Sequence, residues 1–470
     1  MKKLLLSLSF LLASVFGYAQ ITFERHYGGN SSEANCSALQ TNDGGYILAG
    51  YTTSFGEGGK DIYLIRTNQF GDTLWTKTQG GAGDDEVRSI IKTNDNCYII
   101  TGRTSSFGSL ASNILLMKLD TNGTLIWQKA YGGIQEEEGS DVIQTNDGGF
   151  AITGTTMSWG QSFDATFLLK TNNNGDSLWA KIYEKYQNNW GWALLQLPDG
   201  GYVITGQTKP SSNTDDIYLI RTNHNGDTLW TKTIGGALRD ASSSIQKTND
   251  NGFLIFGSTE NYGAGNFDEY IVKTNSVGDI QWTKTYGGTN NDGAWKGIPT
   301  SDGGFATAGG TSSFGAGGTD VYLIKINSNG DTLWTRTFGS LGDESALSIK
   351  ETNDGGFILA GNTNSFTGGL DFYLIKTDAN GHVAGMNDYQ SMNNRITIFP
   401  NPTTGKVNIQ IPEQIGQTKT LEVFDCVGQL QLTKTDDFTV LDIIRLSRGL
   451  YFMVLTNQDN QRQTIKIIKE

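Results

Sequence analysis

The chain has 470 residues, with 61 Gly, only 6 Pro and 11 % aromatics. Glycine without proline suits many tight turns, and the aromatic content supplies a core that disordered chains lack. A formal charge of −13 argues against nucleic acid or an anionic membrane surface as partner. Three Cys and three His leave little material for a zinc site or a His-centred catalytic group.

Residues 1–19 read as a secretory signal peptide. Lys2 and Lys3 precede an apolar run from Leu4 to Phe16, and Gly17, Tyr18 and Ala19 set small residues around a cut after Ala19. The run is too short to span a bilayer, and nothing later resembles a transmembrane helix. No Cys sits at the cut, so no lipid anchor is expected there.

Two ladders then run through the chain in phase. Asp43, Asp95, Asp147, Asp199, Asp250, Asp302 and Asp354 recur every 51 or 52 residues in strings such as TNDGGY. Phe23, Trp75, Trp127, Trp179, Trp230, Trp282 and Trp334 each lie 20 residues before their Asp. Within a unit, short alternating runs rich in β-branched and aromatic residues are bounded by Gly, Asn or Asp. No segment of the mature chain shows a helical apolar stripe. Each unit is therefore four antiparallel strands, a to d, with the Trp on d. Seven such units predict an all-β, seven-bladed β-propeller over residues 20–384.

The ends of the array predict how the ring closes. The last unit reaches strand c at DFYLIKTD, then meets GHVAG where a Trp strand is due. ITFERHYGG, Ile21 to Gly29, aligns with QWTKTYGG and supplies the missing strand. The Gly-x-x-x-Trp spacing of the c–d turn resembles the tryptophan-docking turn of quinoprotein propellers, which implies that each Trp packs on the next blade. It does not imply a quinone. The turn also faintly resembles the Asp box of sialidases, but its Asp lies on the wrong side of the Gly.

Two columns fall on the more variable end of the ring, where the b–c and d–a loops meet. Glu33, Asp85, Glu137, Asn189, Asp240, Asp292 and Glu344 precede the innermost strand. Six carboxylates around a channel mouth would suit Ca²⁺ or another cation, and the alternative is that each fixes its own turn. Phe55, Phe107, Trp159, Pro210, Tyr262, Phe314 and Phe366 occupy the b–c loops, ready to stack on a ligand or to wedge between blades. Blade 4 breaks the repeat with YEKYQNNWGW, which brings Tyr186, Trp190 and Trp192, and Trp295 shares the Trp192 column in blade 6. Residues that break a local rule need a local explanation, and a binding patch is one. Cys36 and Cys97 fall at opposite ends of their blades, beyond disulfide reach.

After about residue 385 the composition changes. Residues 385–396 read as a linker, and residues 397–470 form alternating strands with Gly turns, enough for a small β-sandwich. The segment carries Pro400-Asn401-Pro402 with Gly405, Asp425 with Val427-Gly428, and Leu446-Ser447 with Gly449 and Tyr451. It ends on Lys466-Ile467-Ile468-Lys469. In these motifs and their order it resembles the type A C-terminal sorting domain of proteins exported by the type IX secretion system of Bacteroidetes. Ile443-Ile444 departs from the pattern, where a more polar turn is common. The resemblance implies the Sec translocon and the type IX machinery as partners, passage through periplasm and outer membrane, and a surface-attached or released product.

No nucleophile elbow, zincin helix or triad spacing is present. The leading expectation is a non-enzymatic exported propeller that binds a carbohydrate or surface protein through its b–c/d–a face. Two rivals stand beside it. One is a secreted glycan lyase or hydrolase using the acidic mouth, and the other is a structural surface or matrix protein.

Overall fold

The computed structural model describes residues 20–109, 111–160, 163–211, 214–366, 369–383, 397–399, 402–411, 418–425, 428–458 and 462–470. The signal peptide, the linker, Pro400, Asn401, Cys426 and Val427 lie outside them. The chain divides into two compact units, residues 1–385 and 386–470. All regular structure among the described residues is β, and no described helix is long and apolar enough to cross a membrane.

The first unit is a seven-bladed propeller of four-stranded antiparallel sheets. Blade 1 shows the pattern: strand a Glu33–Gln40, b Tyr46–Thr52, c Asp61–Thr67 and d Thr73–Gln79. Strands b and c are buried almost throughout, whereas d alternates exposed and half-buried residues, as the outermost strand must. In blade 7, strands a to c are Glu344–Glu351, Phe357–Thr363 and Asp371–Lys376, and strand d is Phe23–Tyr27 from the other end of the chain. Phe23 pairs with Lys376 and Tyr27 with Phe372. One apolar cluster then joins Cys36, Ala38 and Leu48 of blade 1 to Ile358, Ala360 and Phe372 of blade 7. The ring is closed by the N-terminal strand, as the alignment predicts.

The recurrent residues are inter-blade joints. Each ladder aromatic packs under the c–d turn of the following blade. Seven turn glycines meet them: Gly71 over Phe23, Gly123 over Trp75, and Gly175, Gly226, Gly278, Gly330 and Gly381 over Trp127, Trp179, Trp230, Trp282 and Trp334. These glycines have φ from +70 to +80°, and a Cβ there would strike the aromatic ring beneath. Both the backbone and the contact therefore require Gly. Beside Trp127, Trp179, Trp230 and Trp282, ion pairs span the same joint at 2.8 to 3.3 Å: Lys129–Asp176, Lys181–Asp227, Lys232–Asp279 and Lys284–Asp331. Tyr27 and Tyr183 donate hydroxyl bonds to the Gly71 and Gly226 carbonyls at 2.6 and 2.7 Å.

The Asp ladder pins the a–b turn to strand c. Lys118, Lys273, Lys325 and Lys376 reach Asp95, Asp250, Asp302 and Asp354 at 2.6 to 3.0 Å, and Arg66 and Arg221 do the same for Asp43 and Asp199. Hydrogen bonds from Lys118 and Thr93 hold the Asp95 carboxyl at about 2. Lys273 and Thr248 do the same to Asp250. Charge-assisted bonds of this kind favour the ionised acid.

The second unit packs a three-stranded sheet, Thr397–Phe399, Lys406–Gln410 and Val440–Asp442, with a four-stranded one. The latter is ordered Leu430–Lys434, Thr418–Asp425, Gly449–Asn457 and Arg462–Lys469. Val407, Leu421, Val423, Leu441, Met453, Leu455 and Ile467 fill its core.

Candidate functional site

At the b–c/d–a end of the propeller, the acidic column is spread over seven separate joints. Glu33, Asp85, Glu137, Asn189, Asp240, Asp292 and Glu344 are only 0–2 % exposed. Each accepts a backbone N–H from four residues earlier, from Gly29, Gly81, Gly133, Lys185, Gly236, Gly288 and Ser340, at 2.8 to 3.1 Å. Each also accepts from its own strand b or the loop after it. Thr52, Thr104, Thr156, Thr208, Thr311 and Thr363 supply hydroxyls, and Asn261 supplies an amide N–H to Asp240. Among the described residues no group of three or more His, Cys, Asp or Glu is arranged to hold a metal.

A second acidic column, not singled out from the sequence, meets the first. Asp61, Asp216, Asp268, Asp320 and Asp371 near the start of strand c face Asp85, Asp240, Asp292, Glu344 and Glu33 of the next blade. Gly80, Gly235, Gly287, Gly339 and Gly28 lie between the paired carboxylates, and a Cβ on any of them would collide with both. Burial pushes the Asp216, Asp240 and Asp320 carboxyls upward, and the facing acid adds to it at Asp216 and Asp320.

This pairing accounts for part of the irregularity of blade 4. At the joint between blades 3 and 4, the strand-c acid is replaced by Ala165 and the intervening glycine by Glu184. The Glu184 carboxylate lies against Gly160, as the strand-c aspartates lie against the matching Gly56, Gly263 and Gly315. The acid moved in sequence and stayed in space. The exchange leaves the aromatic residues of the same loop unexplained by packing.

Those residues are accessible. Tyr186 is 39 % exposed and Trp295 52 %. Trp190 and Trp192, on strand a of blade 4 (Asn189–Gln196), are half-buried. Trp192 donates its Nε1–H to Gln207 Oε1 at 3.1 Å, which orients the ring without covering it. The b–c aromatics Phe55, Tyr262, Phe314 and Phe366 are 45–51 % exposed, while Phe107 and Trp159 are more covered. Phe55, Trp159, Tyr262 and Phe314 lean on Tyr63, Phe167, Tyr270 and Tyr322 of their own strand c, with centroids 5.5 to 5.7 Å apart. Phe366 stacks on His26 of the closing strand at 4.1 Å. Pro210 interrupts this column in blade 4. The rim rings are thus half wedge and half surface. The opposite end holds a cleft of about 370 Å³ between blades 1 and 2, lined by the structural pair Arg66–Asp43 and by Trp75.

In the second unit, Thr403 and Thr404, between Pro402 and Gly405, meet the end of the last strand at Lys469. Thr403 N–H donates to Ile468 O, and Glu470 N–H to Thr403 O, both at 2.9 Å, so the PTTG segment clamps the last strand. Lys469 Nζ reaches Thr404 O at 3.3 Å. Tyr451 caps Ser447 O at 2.9 Å, and Gly428 takes φ +83° in the turn after Asp425. Ile443 fills the core and Ile444 lies outside, so only the first of the apolar pair serves the core. Lys466 lies in the last strand. A family model described as a secretion system C-terminal sorting domain matches residues 397–470.

The tail is a type IX secretion sorting domain. It directs the chain through periplasm and outer membrane, to the cell surface or the medium, and makes the secretion machinery a partner. The protein is therefore an exported β-propeller. The regulatory protein FlaEY of Caulobacter vibrioides is 23 % identical over 357 residues, covering 60 % of this chain and 37 % of that protein. This chain thus spans little more than a third of that relative. Among solved structures, it resembles PorZ, a surface component of the type IX system of Porphyromonas gingivalis, at 9 % identity and TM-score 0.39, over 94 % of this chain and 74 % of that one. Puromycin hydrolase gives 10 %, 0.49, 91 % and 58 %, and the Neurospora crassa Pan2 WD40 domain 9 %, 0.45, 77 % and 92 %.

Proposed function

We propose that the chain is cut after Ala19 and comprises a propeller to residue 384, a linker to 396 and the sorting domain. In this reading the exported propeller is a binding protein without catalytic activity, acting through the b–c/d–a end. The observation that carries it is Trp295. A tryptophan left half exposed on the innermost strand stabilises little, and exposed aromatics rimmed by polar groups mark binding sites. Trp192 repeats the feature two blades away. A carbohydrate or a surface protein is the ligand class such rings suit.

The acidic column is read as turn chemistry and not as a cation ring, because each acid accepts the N–H of its own turn and a side-chain donor from strand b or the loop after it. The same turn bonds and near-complete burial argue against a lyase or hydrolase at the mouth, which needs a carboxylate that reaches a substrate to move a proton. The test is the purified protein on a glycan array and against outer-surface proteins, with a parallel hydrolase and lyase panel. Binding without turnover that weakens in Trp295→Ala at an unchanged melt supports the reading. Turnover, or binding indifferent to the blade 4 and blade 6 aromatics, refutes it.

A further inference from the structure

Each innermost strand is irregular at one place. In blades 2 to 7 the ladder between strands a and b skips Arg88, Ser140, Trp192, Ser243, Trp295 and Leu347 in turn. In blade 1 it skips Asn35 and Cys36. A β-bulge takes a side chain out of the ladder and re-aims it, and bulges gather beside functional sites. These residues occupy equivalent places in a closed ring, so they form one tier. In blades 2 to 7 every one of them is at least partly open to solvent. The tier is also where the repeat is abandoned, since no two neighbouring blades carry the same residue.

We propose that this tier of bulged residues is the ligand site and that Trp192 and Trp295 grip a neutral sugar ring between them above Ser243. The proposal rests on the reading that this end binds a ligand, and it names the class. Blade 5 stands between the two tryptophans, and at its bulge the accessible residues are the small Ala241 and Ser243, with Gly293 beside them on blade 6. Ser242 Oγ donates to Gly206 O of blade 4, and Ser243 Oγ to Ala294 O of blade 6, at 2.8 and 2.7 Å. Gly297 N–H donates to Ser244 Oγ at 2.9 Å. The three strands are bolted together, so the spacing of the indoles is fixed in advance, which limits the ordering cost of binding. Two indole walls with a hydroxyl floor match a pyranose, whose faces are C–H and whose edge is O–H.

The charges point to a neutral sugar. Arg88, the cation of the tier, pairs with Glu138. Lys60 and Arg103 pair with Glu86 at 2.9 and 3.1 Å. Deeper in, burial and the neighbouring Lys296 disfavour the charged form of Lys350, and Asp141 opposes them. An extended peptide is disfavoured, because the bulge interrupts the strand edge it would have to pair with.

The test is isothermal titration and tryptophan fluorescence on the purified protein. The probes are cellohexaose, maltohexaose and chitohexaose, with oligogalacturonate as the acidic probe and decaproline as the peptide probe. At least one neutral hexasaccharide should bind saturably with an emission change. Trp192→Ala, Trp295→Ala and Ser243→Leu, which fills the slot, should each weaken it by about tenfold or more, while Trp159→Ala on the outer rim stays within about twofold. Melts of each variant confirm the fold. Trp-dependent binding of only oligogalacturonate or decaproline overturns the sugar assignment and leaves the binding face standing. Neutral-sugar binding indifferent to all three slot variants overturns the tier, and no binding of any probe overturns both.

Discussion

The propeller holds two rings built on opposite rules. The outer ring sets an aromatic under a turn glycine at all seven joints, with Lys–Asp pairs across four of them. The inner tier of bulged residues differs from each blade to the next. The outer ring solves one problem seven times, closing a joint between neighbouring sheets, so one residue set recurs. The inner tier is free of that common task, because its side chains leave the ladder and each meets different neighbours. Within a repeat fold, sameness reports stability and difference reports where a ligand can be read.

The largest expected effect comes from cutting the outer ring where the chain ends meet. Deleting Ile21 to Gly29 removes strand d of blade 7, bares the edge of Asp371–Lys376 and empties the Gly71 joint. An unpaired edge invites aggregation. The melt should collapse and the protein should aggregate, and an unchanged melt would show that the seam does not hold the ring.

Next in size is a single turn carboxylate. Asp85→Ala strands the Gly81 N–H and the Thr104 and Ser106 hydroxyls. Leaving such buried donors unmet costs about 1–3 kcal/mol each at most. Denaturant unfolding should show the loss equally in EDTA and in millimolar Ca²⁺. A Ca²⁺-dependent shift that the variant abolishes would instead revive a cation at the mouth.

The closing strand differs from its six counterparts in a titratable way, which gives a smaller effect. Glu24 stands where four of the other outer strands have Thr, and accepts a bond from the Tyr373 hydroxyl at 2.6 Å. Burial raises its carboxyl to about 7, opposed by the Tyr373 bond and helped by Glu344. A carboxyl whose folded value exceeds its unfolded one takes up a proton on folding, so stability falls as pH rises from about 4.5 through about 7. Glu24→Thr should flatten that slope and raise the melt at pH 8 by a few degrees. An unaltered slope would remove Glu24 from the seam's pH response.

The outer ring was readable from sequence because its parts recur at a fixed period. Phe23 in the Trp ladder and the absent strand after Asp378 even located the seam. The acidic column was readable as a pattern, but not its role, because its donors are backbone N–H groups and a Thr 19 residues on. The strand-c acids went unnoticed, although Ala165 and Glu184 break two columns at one joint and mark the exchange. The bulges left no sequence signal. They are a slip in hydrogen-bond register, and only the paired strands reveal that Trp192 and Trp295 stand outside it.

The most direct test sets one tryptophan of each ring against the other. Trp282 docks under Gly330, whereas Trp295 stands half exposed on the inner tier. Melting temperature and binding of a neutral hexasaccharide would be measured together for Trp282→Ala and Trp295→Ala. Trp282→Ala should lose about 2–4 kcal/mol of stability, while its folded fraction binds like the parent. Trp295→Ala should melt with the parent and bind about tenfold more weakly or not at all. Equal losses in both readouts for both variants, or the reverse assignment, would contradict the division between a ring that repeats for stability and a tier that varies for binding.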